Sequence, residues 1–69
     1  MDNTEYELKL SSLDRAEYAI NSAIEHIEVA GGNVELIKNL QFILEKGGAL
    51  DAMRLNLDFK HKQNEKHNR

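Results

Sequence analysis

The stretch that decides the fold is residues 13–46, LDRAEYAINSAIEHIEVAGGNVELIKNLQFILEK. Its first half repeats apolar residues at spacings of three and four, which places them on one face of a helix. These residues are Leu13, Ala16, Ile20, Ala23, Ile24, Ile27 and Ala30. Gly31 and Gly32 follow, and glycine is the usual helix stop because it takes positive φ at low cost. We therefore expect a first helix from near Leu13 to this glycine pair.

A second amphipathic helix is predicted directly after the glycines. Asn33 is a good N-cap, and Glu35 would lie in the first turn, where the helix dipole favours a negative charge. Gly47 and Gly48 should close the helix after Lys46. The connection between the two helices is short, so they should pack as an antiparallel αα-hairpin at the centre of the fold. The second apolar stripe consists of Leu36, Ile37, Leu40, Ile43 and Leu44.

The segments on either side of the hairpin alternate apolar and polar residues, as half-buried strands do. Residues 5–10 alternate in this way, and so do residues 53–60. A helix over the second segment would bury Leu50, Met53 and Leu57 but leave Leu55 and Phe59 on its polar side. The sequence thus favours an α+β fold, β-α-α-β, with a small two-stranded sheet. The alternative is an all-α three-helix domain.

The chain is too short for more than one domain. We assign residues 1–60 to a single helical-hairpin domain and residues 61–69 to a polar, disordered tail that folding does not require. A domain of 69 residues has a small core, and this one has no cysteine for disulfide support. Self-association is another usual way in which small domains are stabilised, so we expect a homodimer.

Composition and motifs point away from catalysis, cofactors and metals. His26 has no second histidine one turn away, while His61 and His67 lie in the polar tail, so we predict no catalytic, cofactor-binding or metal-ligating residue. The net charge of −3 lacks the basic footprint that a nucleic-acid partner requires. No apolar run approaches the ~18 residues of a membrane span. The chain also opens without a basic and apolar leader, so a cytoplasmic location is expected.

Some apolar residues fall outside the two stripes. Tyr18 and Val29 would point away from the first stripe, on a face shared with Ser22 and Glu25, and Phe42 would stand out from the second helix. Aromatic residues are favoured anchors of protein interfaces. These five residues are the predicted partner-binding surface.

The resulting hypothesis is a small non-catalytic protein–protein interaction module, a homodimer that serves as an adaptor or inhibitor of another protein. Such proteins are of the kind that phage or mobile elements encode. Two alternatives are a small-ligand sequestering protein with its pocket between protomers and a DNA-binding regulator. The order strand–helix–helix resembles that of ribbon-helix-helix regulators, in which two strands enter the major groove. However, Glu5 and Glu7 on the outward side of the predicted strand would repel phosphate.

Overall fold

The computed structural model describes residues 3–67, with side chains described for residues 3–63. Three helices make up this part of the chain: α1 (Asn3–Val29), α2 (Val34–Leu44) and α3 (Ala49–His67). Each helix contacts the other two. The longest, α1, has 27 residues, and the two shorter helices cover it one after the other.

The predicted first strand is wrong, because residues 5–10 belong to the first two turns of α1. Tyr6 and Leu10 precede Leu13 by seven and three residues, so they continue the helical stripe backwards while also satisfying the alternation of a strand. Between residues 5 and 13 there is no glycine or proline to interrupt the helix. Ser11 and Ser12, which directly precede the expected helix start near Leu13, are exposed residues within α1.

The predicted second strand is also wrong, since residues 53–60 belong to α3. Leu55 and Phe59 are indeed left on the exposed side, but a helix tolerates singly exposed apolar residues. Within residues 3–67 there is no strand, so the α+β assignment is replaced by the all-α three-helix alternative. The helical hairpin itself is confirmed.

The turn between α1 and α2 is the one that the sequence predicts. The Gly31 amide donates to the Glu28 carbonyl (3.2 Å), and the Gly32 amide donates to the Ile27 carbonyl (2.8 Å). Both glycines have positive φ, as this way of ending a helix requires. Asn33 then caps α2, its side-chain oxygen accepting from the Leu36 amide at 3.0 Å. The N-cap prediction is therefore confirmed.

A second short connection joins α2 to α3. It begins after Leu44, two residues earlier than the sequence predicts. The Gly47 amide donates to Asp51 Oδ2 (2.9 Å), so an acidic residue in the first turn of α3 holds the preceding loop. Gly48 is buried, and a Cβ there would lie 2.5 Å from the Phe42 carbonyl oxygen. The connection is thus closely packed against the end of α2.

The hydrophobic core is small and lies mainly between α1 and α3. Leu13, Leu50 and Leu57 form the buried cluster, and Ile24 of α1 is buried outside this cluster. No large side chain among the described residues is completely enclosed. The partly buried residues packed against the cluster are Tyr6, Leu10, Ala16, Ile20, Ile43 and Leu44.

Candidate interaction surfaces

The four predicted partner-binding residues of α1 form one stripe along its outer edge. Tyr18, Ser22, Glu25 and Val29 follow at spacings of four, three and four, which aligns them on a helix. Tyr18 is 76% exposed and Val29 is 88% exposed. Glu25 is exposed and Ser22 is half-buried. We call these four residues the α1 outer stripe.

Phe42, the fifth predicted residue, lies on a different surface. It is 68% exposed. Its neighbours Leu40, Ile43 and Leu44 are half-buried on the side of α2 that packs inward, so Phe42 points away from α1. Since α1 and α2 lie side by side, Phe42 and the α1 outer stripe occupy opposite edges of the hairpin. The structure therefore divides the predicted surface into two.

A third surface, which the sequence analysis did not find, is a groove between α1 and α3. Its volume is about 570 Å³. The buried residues Leu13 and Leu57 line it together with the exposed residues Leu8 and Met53. The remaining lining residues are polar: Glu5, Lys9, Ser12, Asn56 and Lys60. We refer to this apolar cleft with its charged rim as the α1–α3 groove.

An ion-pair cluster also joins α1 to α3, on the side opposite the groove. Arg54 Nη2 lies 3.1 Å from Asp14 Oδ1, and Arg54 Nη1 lies 3.4 Å from Glu17 Oε1. At about 100° per residue, Asp14 is about 200° around α1 from Ser12, a lining residue of the groove. The two faces of the α1–α3 pair therefore differ in character, one being charged and the other largely apolar.

A cluster of side chains joins the middle of α3 to the start of α1. The Tyr6 hydroxyl donates to Asp58 Oδ1, and the Tyr6 ring stacks on the His61 ring with centroids 3.9 Å apart and planes within 6°. His61, which the sequence analysis assigned to the tail, is half-buried in this contact. The helix continues to His67, and the last two residues of the predicted tail lie outside the described part of the chain. The boundary between domain and tail stays a prediction.

Side chains that could bind a metal are dispersed in the described part of the chain. Within residues 3–63, whose side chains are described, no three histidine, cysteine or acidic side chains are grouped as a metal site. His26 is exposed on α1. None of the helices in the described range combines the length and the apolar character needed to cross a bilayer.

The sequence does not predict the groove, because the residues of both its walls alternate in the way that is typical of strands. Leu8 belongs to the first predicted strand and Met53 to the second. One signal could have revealed it: Tyr6, Leu10 and Leu13 extend the 3–4 spacing of the first helix backwards, which makes a long α1 that a third helix can cover.

Comparison with known proteins adds no relative to this picture. The chain matches no protein-family model, no curated protein and no solved structure.

Proposed function

We propose that the chain is a small, non-catalytic, cytoplasmic protein–protein interaction module that acts as a homodimer and binds another protein, as an adaptor or an inhibitor. One observation carries the proposal: among residues 3–63, nine large apolar side chains are exposed and four apolar residues are buried. Exposed aromatic residues and methionine are among the residue types that protein interfaces favour. The buried apolar residues are Leu13, Ile24, Leu50 and Leu57, whereas the large exposed ones are Leu8, Tyr18, Val29, Val34, Leu36, Phe42, Met53, Leu55 and Phe59.

The α1 outer stripe and Phe42 are the surfaces that we assign to the other protein. Each presents one aromatic ring on a regular helix, a rigid support that loses little conformational entropy when a partner binds. Their positions on opposite edges of the hairpin suit an adaptor, which could contact a partner on each side, as well as an inhibitor that uses one edge.

Neither alternative function has a comparable observation in its favour. The ribbon-helix-helix hypothesis needs a strand at residues 5–10, and these residues are helical. A small ligand could occupy the α1–α3 groove, but it would leave the α1 outer stripe and Phe42 without a role. A rise in melting temperature with ligand would favour this second alternative.

The proposal can be tested by affinity capture from the source organism, followed by measurement with purified components. The tagged chain should retain a partner protein, and the purified pair should bind saturably at a fixed stoichiometry. Tyr18→Ala or Phe42→Ala should weaken that binding by at least about 10-fold, as expected for an aromatic anchor. Gln41→Ala is the control, because Gln41 is an exposed polar neighbour of Phe42. Equal binding by both aromatic variants and the control would rule out these surfaces.

A further inference from the structure

The described helices form an unusually open shape for a chain of this length. The radius of gyration is 15.6 Å, and the principal extents are 55 × 20 × 10 Å. A compact domain of 69 residues would have a radius of gyration of about 11 Å. The smallest extent, 10 Å, is close to the diameter of one helix, so the molecule is a single layer of helices.

The accessible surface area points the same way. The chain exposes 5594 Å², whereas a compact protein of 7.9 kDa would expose about 4,400 Å². The excess is about 1,200 Å². A specific protein–protein interface buries about 800 Å² on each partner. A partner could therefore cover one side of this flat layer, and the surface that stays accessible would be that of an ordinary compact protein of this mass.

The side that carries the α1–α3 groove is suited to this role. It has apolar walls, and the row that lines it on α1 continues from Ser12 to Ala16, Ala19 and Ala23 at spacings of four, three and four. Small side chains in such a row let another helix approach closely. The opposite side holds the ion pairs of Arg54, whose burial would have a large desolvation cost.

We propose that the α1–α3 groove is the docking surface for a second copy of this chain. The two copies would meet groove to groove about a two-fold axis, so that α1 and α3 of each copy form a four-helix arrangement. This inference rests on the homodimer in the proposed function and specifies the face that forms it. The α1 outer stripe and Phe42 stay on the outside of the dimer.

Charge and size favour a second copy over other occupants. The groove rim carries Lys9, which pairs with Glu5 at 3.2 Å within α1, together with Lys60. Because the rim has both signs of charge, a two-fold axis can bring two rims together without a uniform like-charge repulsion. Two such layers, each 10 Å thick, would stack into a body about 20 Å thick, which matches the 20 Å width of one layer. An added helix pair would also cover the alanine row, which a small molecule in the groove would not reach.

Sedimentation equilibrium of charge-insertion variants tests the proposal. The native chain at micromolar concentration should show about twice its mass of 7.9 kDa. Leu8→Glu and Met53→Glu each place a charge in the groove and should raise the dimer dissociation constant by roughly 100-fold or more. Leu55→Glu is the matched control: Leu55 is 64% exposed, against 65% for Leu8 and 56% for Met53, but does not line the groove. It should stay dimeric.

Cross-linking provides a second readout that does not depend on disrupting the dimer. The chain has no cysteine, so Ser12→Cys or Asn56→Cys gives each copy one thiol at the groove. A short bis-maleimide should join two copies of either variant. Gln41→Cys, on the exposed side of α2, is the control and should stay uncross-linked.

Three results would overturn the inference. If the groove variants remain dimeric and cross-link no more than the control, the groove is not the interface. If dimers are lost only when Tyr18 or Phe42 is changed to glutamate, the outer edges pair the copies instead. If the native chain stays monomeric at hundreds of micromolar, no second copy docks. Partner binding can still be measured in every case, so the interaction function is judged separately.

Discussion

The two halves of α1 are held by different means. The first half packs against α3, where the cluster of Leu13, Leu50 and Leu57 is joined by the Arg54 ion pairs and the Tyr6 contacts. The second half contains the buried Ile24 and leads through the Gly31–Gly32 turn into α2, which contacts α1. Among the described residues, the side-chain hydrogen bonds and ion pairs between helices that the structure shows all join α1 to α3.

The difference shows which contacts fix the arrangement of the helices in so small a domain. Directional polar contacts fix the register of α3 along α1, since a shift by one turn would break them. The position of α2 is instead set by its two short connections, the Gly31–Gly32 turn and residues 45–48. We therefore expect the α2 half to open first under native conditions, since regions with few buried contacts have the lowest local stability.

The largest expected effect comes from truncating a buried side chain in either half of α1. Leu13→Ala should lower the free energy of unfolding by about 2–5 kcal/mol, because it leaves a cavity inside the buried cluster. Ile24→Ala should cost less, because Ile24 is not part of the buried cluster. Urea denaturation at one fixed protein concentration measures both, since a dimer's stability depends on concentration. Equal losses would remove the proposed difference between the two halves.

A smaller effect is expected in the connection between α2 and α3, which joins the part of the molecule around α2 to the part around α3. Gly48→Ala should cost about 1–3 kcal/mol, because the new methyl group would press on three backbone carbonyl oxygens at 2.5, 2.7 and 2.9 Å. Gly47→Asn is the control: nothing lies within 4 Å of a Cβ there, and asparagine tolerates the positive φ of that position. Thermal unfolding followed by circular dichroism compares them. A melting temperature unchanged by Gly48→Ala would show that this connection is loosely packed.

The smallest effect concerns the ion pairs that only the α3 half possesses. Arg54→Met should cost about 0.5–1 kcal/mol at low salt and much less at 1 M salt, because these pairs are partly exposed and are screened by ions. Lys38→Met on α2 is the control, because Lys38 is exposed. Denaturation at the two salt concentrations checks the prediction. A cost that did not depend on salt would mean that Arg54 acts through packing of its stem.

The parts of the fold that could be predicted are those with a local cause. The Asn33 cap and the glycine turn each depend on a few adjacent residues, and both are found as predicted. The errors arose where a short segment fits two periods. Tyr6, Leu8 and Leu10 alternate as in a strand, but Tyr6 and Leu10 also match a helix, and only the continuation to Leu13 decides between them.

The candidate surfaces also differ in whether the sequence predicts them. The exposure of the α1 outer stripe follows from the position of its residues relative to the apolar stripe of one helix, so it could be predicted. The groove depends on how α3 lies against α1. The 3–4 spacing of Tyr6, Leu10 and Leu13 indicates a long α1, but the path of α3 along it depends on both helices together.

The unbroken length of α1 has a consequence for how the chain can change in evolution. The face of α1 that contacts α3 and the face that contacts α2 lie on one continuous helix. The number of residues between these two faces therefore sets the angle between them around the helix axis. Inserting one residue near Ala19, between the two contact regions, would turn one face by about 100° relative to the other, whereas inserting seven would turn it by only about 20°. Viable length variants of this chain should therefore differ within α1 by whole heptads or carry their insertions at its ends.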